Sequence, residues 1–155
     1  TFTREVWRKI GAESDASFLA YRYGIPLSHG GFLSNMRDMA RFGLLFTPSY
    51  SVVSEERIVS EETIDQLLEK PNPNLVRDDG SHNAAQWDYI DDDGFMIKGG
   101  WGGQGLIVNP RLDLVAVYTS YFKEDYSQEN LRQPLLKILR DNYLNNEQIR
   151  SSINQ

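Results

Sequence analysis

The sequence contains no cysteine and only two histidines, His29 and His82, among its 155 residues. The absence of cysteine excludes disulfides, thiolate metal ligands and a cysteine nucleophile. The two histidines are far apart in the sequence and lack the spacing of metal ligands, so we expect no metal site. No apolar run approaches the length that spans a membrane.

Positive charge is also scarce, because 16 Lys and Arg residues stand against 22 Asp and Glu residues. The net charge of -6 and the isoelectric point near 4.9 create a field that repels phosphate, so we expect no nucleic-acid partner and no anionic membrane surface. The length and the 40% hydrophobic content are typical of a soluble globular domain with a substantial core. The cellular compartment stays open between cytoplasm and periplasm.

One glycine-rich stretch lies between two short apolar runs, 95–97 and 106–108, each of which predicts a strand. Such a backbone carries little side-chain bulk, which permits the close approach of a substrate. The same spacing is equally typical of a bend in an antiparallel meander, and both interpretations stay open. No Gly-Lys-Ser/Thr follows, so the stretch is not a phosphate loop. The stretch comprises Lys98, Gly99, Gly100, Trp101, Gly102, Gly103 and Gln104.

Helical patterns precede this stretch. The first helix presents Val6, Trp7 and Ile10 on one face and ends at Gly11. A second helix begins after a cap at Ser34, and a third begins after Ser60. In the second helix, Asp38 and Arg41 fall outside the apolar stripe, which predicts a solvent-exposed pair. The stripe itself comprises Met36, Met39, Ala40, Gly43 and Leu44.

A polar segment rich in turn residues, 71–83, separates these helices from a series of strands. We therefore divide the chain into 1–73, part of a helical region, and 74–155, antiparallel strands with a C-terminal helix. The predicted fold class is α+β, a helical segment followed by an antiparallel meander and a C-terminal packing helix. Alternation of apolar and polar residues predicts a strand over 85–90. The three aspartates within 91–94 suggest a calcium loop, but the Glu that such a loop needs is missing, so we interpret 91–94 as a solvated hairpin turn.

The run from Leu112 to Tyr121 is apolar on both faces, which predicts a central strand that is covered on each side. The C-terminal helix supplies one cover, with Pro134 in its first turn. The polar segment after it, 145–155, is expected to fray. The apolar stripe predicted for that helix is formed by Leu131, Leu135, Ile138, Leu139 and Tyr143.

Four ordered motifs together resemble a known family. Residues 30–43 match its Gly-Gly-hydrophobic-x-Ser/Thr-x-x-Asp-hydrophobic-Ala-Arg-Phe/Leu-Gly segment, and 7–13 are similar to its Trp-x-Pro-Leu-Gly-Met-Glu element. Residues 57–63 are similar to a helix start of the family, and 86–110 to its Gln-Trp-Trp … Gly-x-Gly-Gly-Gln ending. The chain thus resembles the serine beta-lactamase-like hydrolases, which include class C beta-lactamases, penicillin-binding-protein-like esterases and 6-aminohexanoate-dimer hydrolases.

The resemblance implies a nucleophilic serine in a Ser-x-x-Lys motif and a tyrosine base in a Tyr-x-Asn or Tyr-x-Ser loop. Both precede the Trp7-type segment in the family, so we expect them upstream of Thr1 and expect no catalytic residue in this chain. Tyr118 fits the Tyr-x-Ser spacing only formally, because it lies within a predicted strand. The chain is then the C-terminal portion of a larger hydrolase that cleaves an ester or amide through an acyl-serine intermediate without a cofactor.

The family also has a Lys/His-Thr/Ser-Gly element that lines the active site and donates a backbone amide to the oxyanion. Lys98, Gly99 and Gly100 stand near the expected place, without the hydroxyl-bearing residue in the middle. We therefore expect a backbone donor within 99–103, no proton-transfer role for Lys98, and an ester or amide substrate rather than a beta-lactam.

The partners implied by the resemblance are the N-terminal half of the same enzyme and a small-molecule ester or amide, and an unpaired sheet edge also permits self-association. Two other hypotheses remain open. One is a non-catalytic binding protein of the same fold, and the other is an autonomous small structural domain.

Overall fold

The computed structural model describes residues 1–27, 30–69, 71, 73–120 and 131–145. The architecture is α+β, as predicted: helices, a five-stranded antiparallel sheet and a C-terminal helix. His29 and the segment after Asn145 lie outside the described residues. The division of the chain at residue 73 stays a prediction.

The first half is mainly helical. A π-helical turn spans Thr3–Trp7, a two-stranded ribbon pairs β1 (Ser17–Phe18) with β2 (Phe32–Leu33), and α1 spans Met36–Leu44. A 3-10 turn covers Pro48–Val52 and α2 covers Glu61–Leu68. Trp7 and Ile10 are buried, and Gly11 takes the predicted left-handed φ of 59°, although the helical turn itself already ends at Trp7. The Ser60 cap is also confirmed, because its side chain accepts from the Thr63 amide.

The second half forms the sheet. After a 3-10 turn at Pro73–Leu75, the strands follow one another as β3 (His82–Ala84), β4 (Trp87–Ile90), β5 (Met96–Gly99), β6 (Gly105–Asn109) and β7 (Leu114–Tyr118). Each strand pairs antiparallel with the next, so the order β3-β4-β5-β6-β7 is a simple meander. A 3-10 turn, Pro110–Leu112, links the last two strands. The helical end of the chain comprises α3 (Arg132–Leu139) and a π turn (Arg140–Leu144).

Helices α1 and α2 cover one face of the sheet. Gly43 of α1 is buried, and a Cβ at this position would lie 2.7 Å from Val115 Cγ1 and 3.0 Å from Leu106 Cδ1. The glycine therefore lets α1 approach the central strands closely. The buried core of this face contains Leu67, Trp87, Ile90, Met96, Leu106 and Val108.

Helix α3 covers the other face, as predicted for a central strand with two apolar sides. Its apolar stripe is shifted from the predicted one, because Leu136 is the fully buried residue whereas Ile138 is 54% exposed. Leu135 and Leu139 pack against the core as predicted, whereas Leu131 and Tyr143 are 37% and 41% exposed, so the prediction of the stripe is confirmed only in part. Pro134 stands in the first turn, as predicted. The core of this face contains Phe95, Ile97, Ile107, Leu114, Tyr118 and Leu136.

The strand predicted over 85–90 is wrong at its start. Ala85 and Gln86 have φ of 44° and 71° and form the two-residue turn that joins β3 to β4. Two consecutive positive φ values match the hairpin turn that follows the right-handed twist of the strands. The following turn at 91–94 is confirmed, with Gly94 at φ 85° and its amide donating to the Asp91 carbonyl. Within the described ranges, every helix is too short or too polar to cross a membrane.

Candidate functional site

The glycine-rich stretch forms the hairpin loop between β5 and β6. Gly99 pairs with Gly105 at the end of the ladder, and the Gly100 amide donates to the Gln104 carbonyl at 2.8 Å. The Gly103 amide closes a turn onto the Gly100 carbonyl at 3.2 Å, with φ of 84° at Gly103. The stretch is thus a hairpin, and the close approach of a substrate to it stays a prediction.

Two other elements meet this loop at the same end of the sheet. The Ser120 hydroxyl, just beyond β7, donates to the Gly103 carbonyl at 2.7 Å. The Thr119 hydroxyl lies 3.7 Å from the sulfur of Met36, the first residue of α1. The hairpin loop, the end of β7 and the start of α1 therefore border one area of the surface.

Asp88 of β4 holds the base of the hairpin. Its Oδ1 lies 2.6 Å from Lys98 Nζ, and its Oδ2 accepts the Gly99 amide at 2.8 Å. The residue pairing between β4 and β5 ends at Tyr89 and Ile97, so the Asp88 carboxylate takes the place of the next backbone partner. Lys98 is consequently held against β4 in an ion pair. That it has no proton-transfer role stays a prediction.

These contacts occupy several of the backbone donors expected near an oxyanion. The amides of Gly99, Gly100 and Gly103 donate to Asp88, Gln104 and Gly100 respectively. By contrast, the Gly102 amide donates to none of the residues that the structure describes. Gly102 is thus the glycine of this loop whose N–H has no acceptor among the described residues.

The Gln104 side chain explains why two of the loop positions are glycine. A Cβ at Gly100 would lie 2.5 Å from Gln104 Cδ, and one at Gly102 would lie 2.9 Å from Gln104 Oε1. Gln104 therefore folds over the inside of the loop, and a Cβ at either position would have to displace the end of this side chain. Trp101 at the tip is 81% exposed, an unusual position for the largest apolar side chain.

Tyr118, the formal Tyr-x-Ser match, belongs to the core. It pairs directly with Gly105 and is 6% exposed, and a Cβ on Gly105 would overlap its ring. A general base must reach its substrate, and the Tyr118 hydroxyl is enclosed under α3. The structure therefore places this tyrosine away from any open site.

Both catalytic spacings nevertheless occur in this chain, contrary to the expectation that they lie only upstream. Lys123 stands three positions after Ser120, as in Ser-x-x-Lys, and Asn145 stands two positions after Tyr143, as in Tyr-x-Asn. Ser120 lies beside the glycine hairpin, whereas Tyr143 lies in the helical turn that follows α3. The family motif places its serine and lysine one turn apart on a helix, and Ser120 follows closely after strand β7. Lys123 is outside the described residues.

Asp38 contradicts the predicted solvent-exposed pair, since it is fully buried. Its carboxylate accepts the amides of Glu13 at 2.8 Å and Ser14 at 3.1 Å, and the Asn35 side-chain amide at 2.7 Å. Asn35 also caps α1, in place of the predicted Ser34, because its Oδ1 accepts the Asp38 amide at 2.7 Å. Asp38 thus joins the loop after the first helix to the end of α1 that borders the hairpin.

The aspartates of the 91–94 turn are not simply solvated. Asp91 has only 7% of its side chain exposed, and it shares Arg140 with Asp93, whose Oδ2 lies 3.0 Å from Arg140 Nε. Burial raises the pKa of the Asp91 carboxyl, against the opposing effects of the Phe95 amide and of Arg140. In the described part of the chain, no group of three or more His, Asp or Glu side chains is arranged to hold a metal ion.

Comparison with known proteins finds a distant relative. The chain is similar to 6-aminohexanoate-dimer hydrolase of Paenarthrobacter ureafaciens, with 28% identity over 123 residues. The match covers 74% of this chain and 31% of that protein, so the chain spans about a third of the length of its relative. No family model matches the chain. The distant similarity supports a hydrolase-like protein and agrees with the beta-lactamase-like resemblance of the motifs.

Proposed function

We propose that this chain is the C-terminal part of a larger serine hydrolase and supplies one wall of its active site. The nucleophilic serine and its lysine come from a part of the polypeptide outside this sequence, so this chain alone is inactive. The similarity to a hydrolase three times as long as the match supports this proposal. The observation that carries it is the open Gly102 amide in a hairpin bordered by the start of α1.

The reaction that fits this arrangement is acyl transfer. The serine oxygen forms a bond to the carbonyl carbon of an ester or amide, and the alcohol or amine leaves with a proton. Water then adds to the acyl-serine, releases the acid and returns the proton to the serine oxygen. During both steps the carbonyl oxygen carries negative charge, and the Gly102 N–H is the donor that we assign to it from this chain.

A pair of substitutions at one position tests this assignment in the full-length polypeptide. Gly102→Pro removes the amide hydrogen, whereas Gly102→Ala keeps it and displaces only the end of the Gln104 side chain. We expect Gly102→Pro to lower turnover of a p-nitrophenyl ester by about a hundred- to a thousand-fold, the usual effect of one lost oxyanion donor. Gly102→Ala should stay within about ten-fold of the parent, and melting temperatures check that both variants fold.

Three results would contradict the proposal. Equal turnover in folded Gly102→Pro and Gly102→Ala would show that this amide does not bind the oxyanion. A full-length polypeptide with no ester or amide hydrolysis would instead support a non-catalytic binding protein of the same fold. Loss of turnover in Lys98→Met with both Gly102 variants active would assign the chemistry to the lysine.

A further inference from the structure

We propose that Asp88 cancels the charge of Lys98, so that the hairpin site accepts an uncharged acyl group and rejects a substrate with a carboxylate beside the scissile bond. This inference names the substrate class of the site and rests on the function proposed above. Its central element is a pair of side chains on neighbouring strands, β4 and β5, at the base of the loop.

The geometry of the pair makes the cancellation persistent. Asp88 accepts from Lys98 Nζ at 2.6 Å through one oxygen and from the Gly99 amide at 2.8 Å through the other. An exposed ion pair alone contributes about 0–1 kcal/mol and breaks readily. Here the backbone bond to Gly99 fixes the carboxylate, so Lys98 has a stationary counter-ion whether or not a ligand is present.

Among the residues that the structure describes, the cation near Asp88 is engaged elsewhere. Arg77 lies near Asp88, but its Nη2 donates to the Asp88 carbonyl at 3.1 Å and its Nη1 to Ser81 at 3.3 Å. Arg77 also faces Asp79, whose pKa is lowered by hydrogen bonds from Ser81 and by the charge of Arg77. Of the described groups at the tip, a ligand therefore meets the exposed Trp101 ring and the Gly102 amide rather than a cation.

The consequence for substrates follows from Coulomb attraction. A free lysine 4 Å from a carboxylate attracts it by about 1 kcal/mol in water and by more in a desolvated site. This energy corresponds to a preference of about five-fold or greater for an anionic substrate over an uncharged one. With Asp88 in place, an anionic substrate must compete with a fixed carboxylate for Lys98. Uncharged acyl groups pay no such penalty and can contact Trp101.

Trp101 itself allows a test on this chain without catalysis. Trp7 and Trp87 are 5% and 6% exposed, so iodide quenching of tryptophan fluorescence reports mainly on Trp101. Trp101 is three residues from Lys98, a reach of at most about 10 Å, which is comparable to the Debye length at 0.1 M salt. Acrylamide, an uncharged quencher, controls for accessibility.

We expect Asp88→Asn to raise the iodide quenching constant roughly two-fold relative to that of acrylamide, since it frees the charge of Lys98. Lys98→Met should lower the ratio, because it leaves the Asp88 carboxylate without its counter-ion, and the double variant should return the ratio to that of the parent. A parent ratio markedly above that of the double variant would show that Lys98 is not neutralised and would overturn the proposal.

The substrate preference is measured in the full-length polypeptide with two esters, p-nitrophenyl butyrate and the singly charged p-nitrophenyl succinate. We expect a higher kcat/KM for the butyrate, and Asp88→Asn should shift the ratio toward the succinate by about five-fold or more, provided that Lys98 is present. A preference for the succinate in the parent would overturn the proposal. If neither ester is hydrolysed, the proposed function fails, while the quenching ratio still decides whether Lys98 is neutralised.

Discussion

The buried carboxylate of Asp38 accepts the backbone amide of Glu13 at 2.8 Å, across 25 residues of sequence. A fully buried charge is tolerated only where hydrogen bonds replace its water. Asp38 has these bonds, from two backbone amides and from Asn35. The contact fixes the loop after the first helix against the start of α1, the same end of α1 that borders the glycine hairpin.

Removal of this carboxylate should therefore be costly. We expect Asp38→Ala to lower the free energy of unfolding by about 2–5 kcal/mol, because it removes the buried carboxylate that accepts two backbone amides and the Asn35 side chain. Asp38→Asn keeps one oxygen and should cost less. Arg37→Ala, which removes an exposed partner of Glu13, should change it by less than about 1 kcal/mol. Urea denaturation measures all three, and an Asp38→Ala variant as stable as Arg37→Ala would contradict this account.

Residue 105 has to be glycine because the Tyr118 ring lies where a Cβ of residue 105 would be. We expect Gly105→Ala to cost about 1–3 kcal/mol through overpacking. Gly30→Ala is the matched control, because a Cβ there meets nothing within 4 Å. Thermal unfolding compares them. In a Tyr118→Leu background the smaller side chain leaves more room, so Gly105→Ala should lower the stability by less than it does in the parent. Purely additive effects of the two substitutions would argue against this packing.

The turn at Ala85 and Gln86 is formed by residues that disfavour positive φ. Asn at the first position and Gly at the second are preferred in such a turn. We therefore expect the double variant Ala85→Asn, Gln86→Gly to gain about 0.5–1 kcal/mol of stability. Ala85→Val should lose stability, since a β-branched residue is strained there. Denaturant midpoints give both values, and a double variant no more stable than the parent would speak against the turn.

Asp91 should make stability depend on pH in an unusual direction. Its pKa is raised above the ordinary value of 3.8 because burial disfavours the charged form, so the folded chain holds this proton more tightly than the unfolded chain. Its contribution to stability is complete below pH 3.8 and is lost as the pH rises through the folded pKa.

The stability of Asp91→Asn relative to the parent should thus improve between pH 4 and pH 7. Asp78→Asn, at an exposed carboxylate, corrects for the general loss of one negative charge. Urea denaturation across this range gives the differences. A relative stability of Asp91→Asn that falls with pH would show that the attraction of Arg140 outweighs burial.

The features that depend on neighbouring residues were predicted correctly. Gly11 and Gly94 take the expected positive φ, the first shortly after the first helical turn and the second in a hairpin turn. The glycine hairpin lies between the two strands predicted around it. The two apolar faces of the last strand likewise required helices on both sides, which α1 and α3 provide.

The errors arise where distant contacts override local pattern. Helical periodicity places Asp38 outside the apolar stripe, and only the loop at Glu13 explains its burial. The sequence also carries no sign that Asp88 occupies the Gly99 amide, since the two meet only after β4 and β5 pair. Ala85 and Gln86 lack every common turn signal, so their positive φ values reflect the pairing of the flanking strands.

The most direct test of the central claim is the site of covalent labelling by a serine-reactive fluorophosphonate. The reagent is applied to this chain and to the full-length polypeptide, with Ser120→Ala as a control in each, and peptide mass mapping locates the adduct. We predict no adduct on this chain and one adduct per full-length molecule, on a serine outside residues 1–155 that is followed by lysine three positions later. A stoichiometric adduct on Ser120 that disappears in Ser120→Ala would contradict this account.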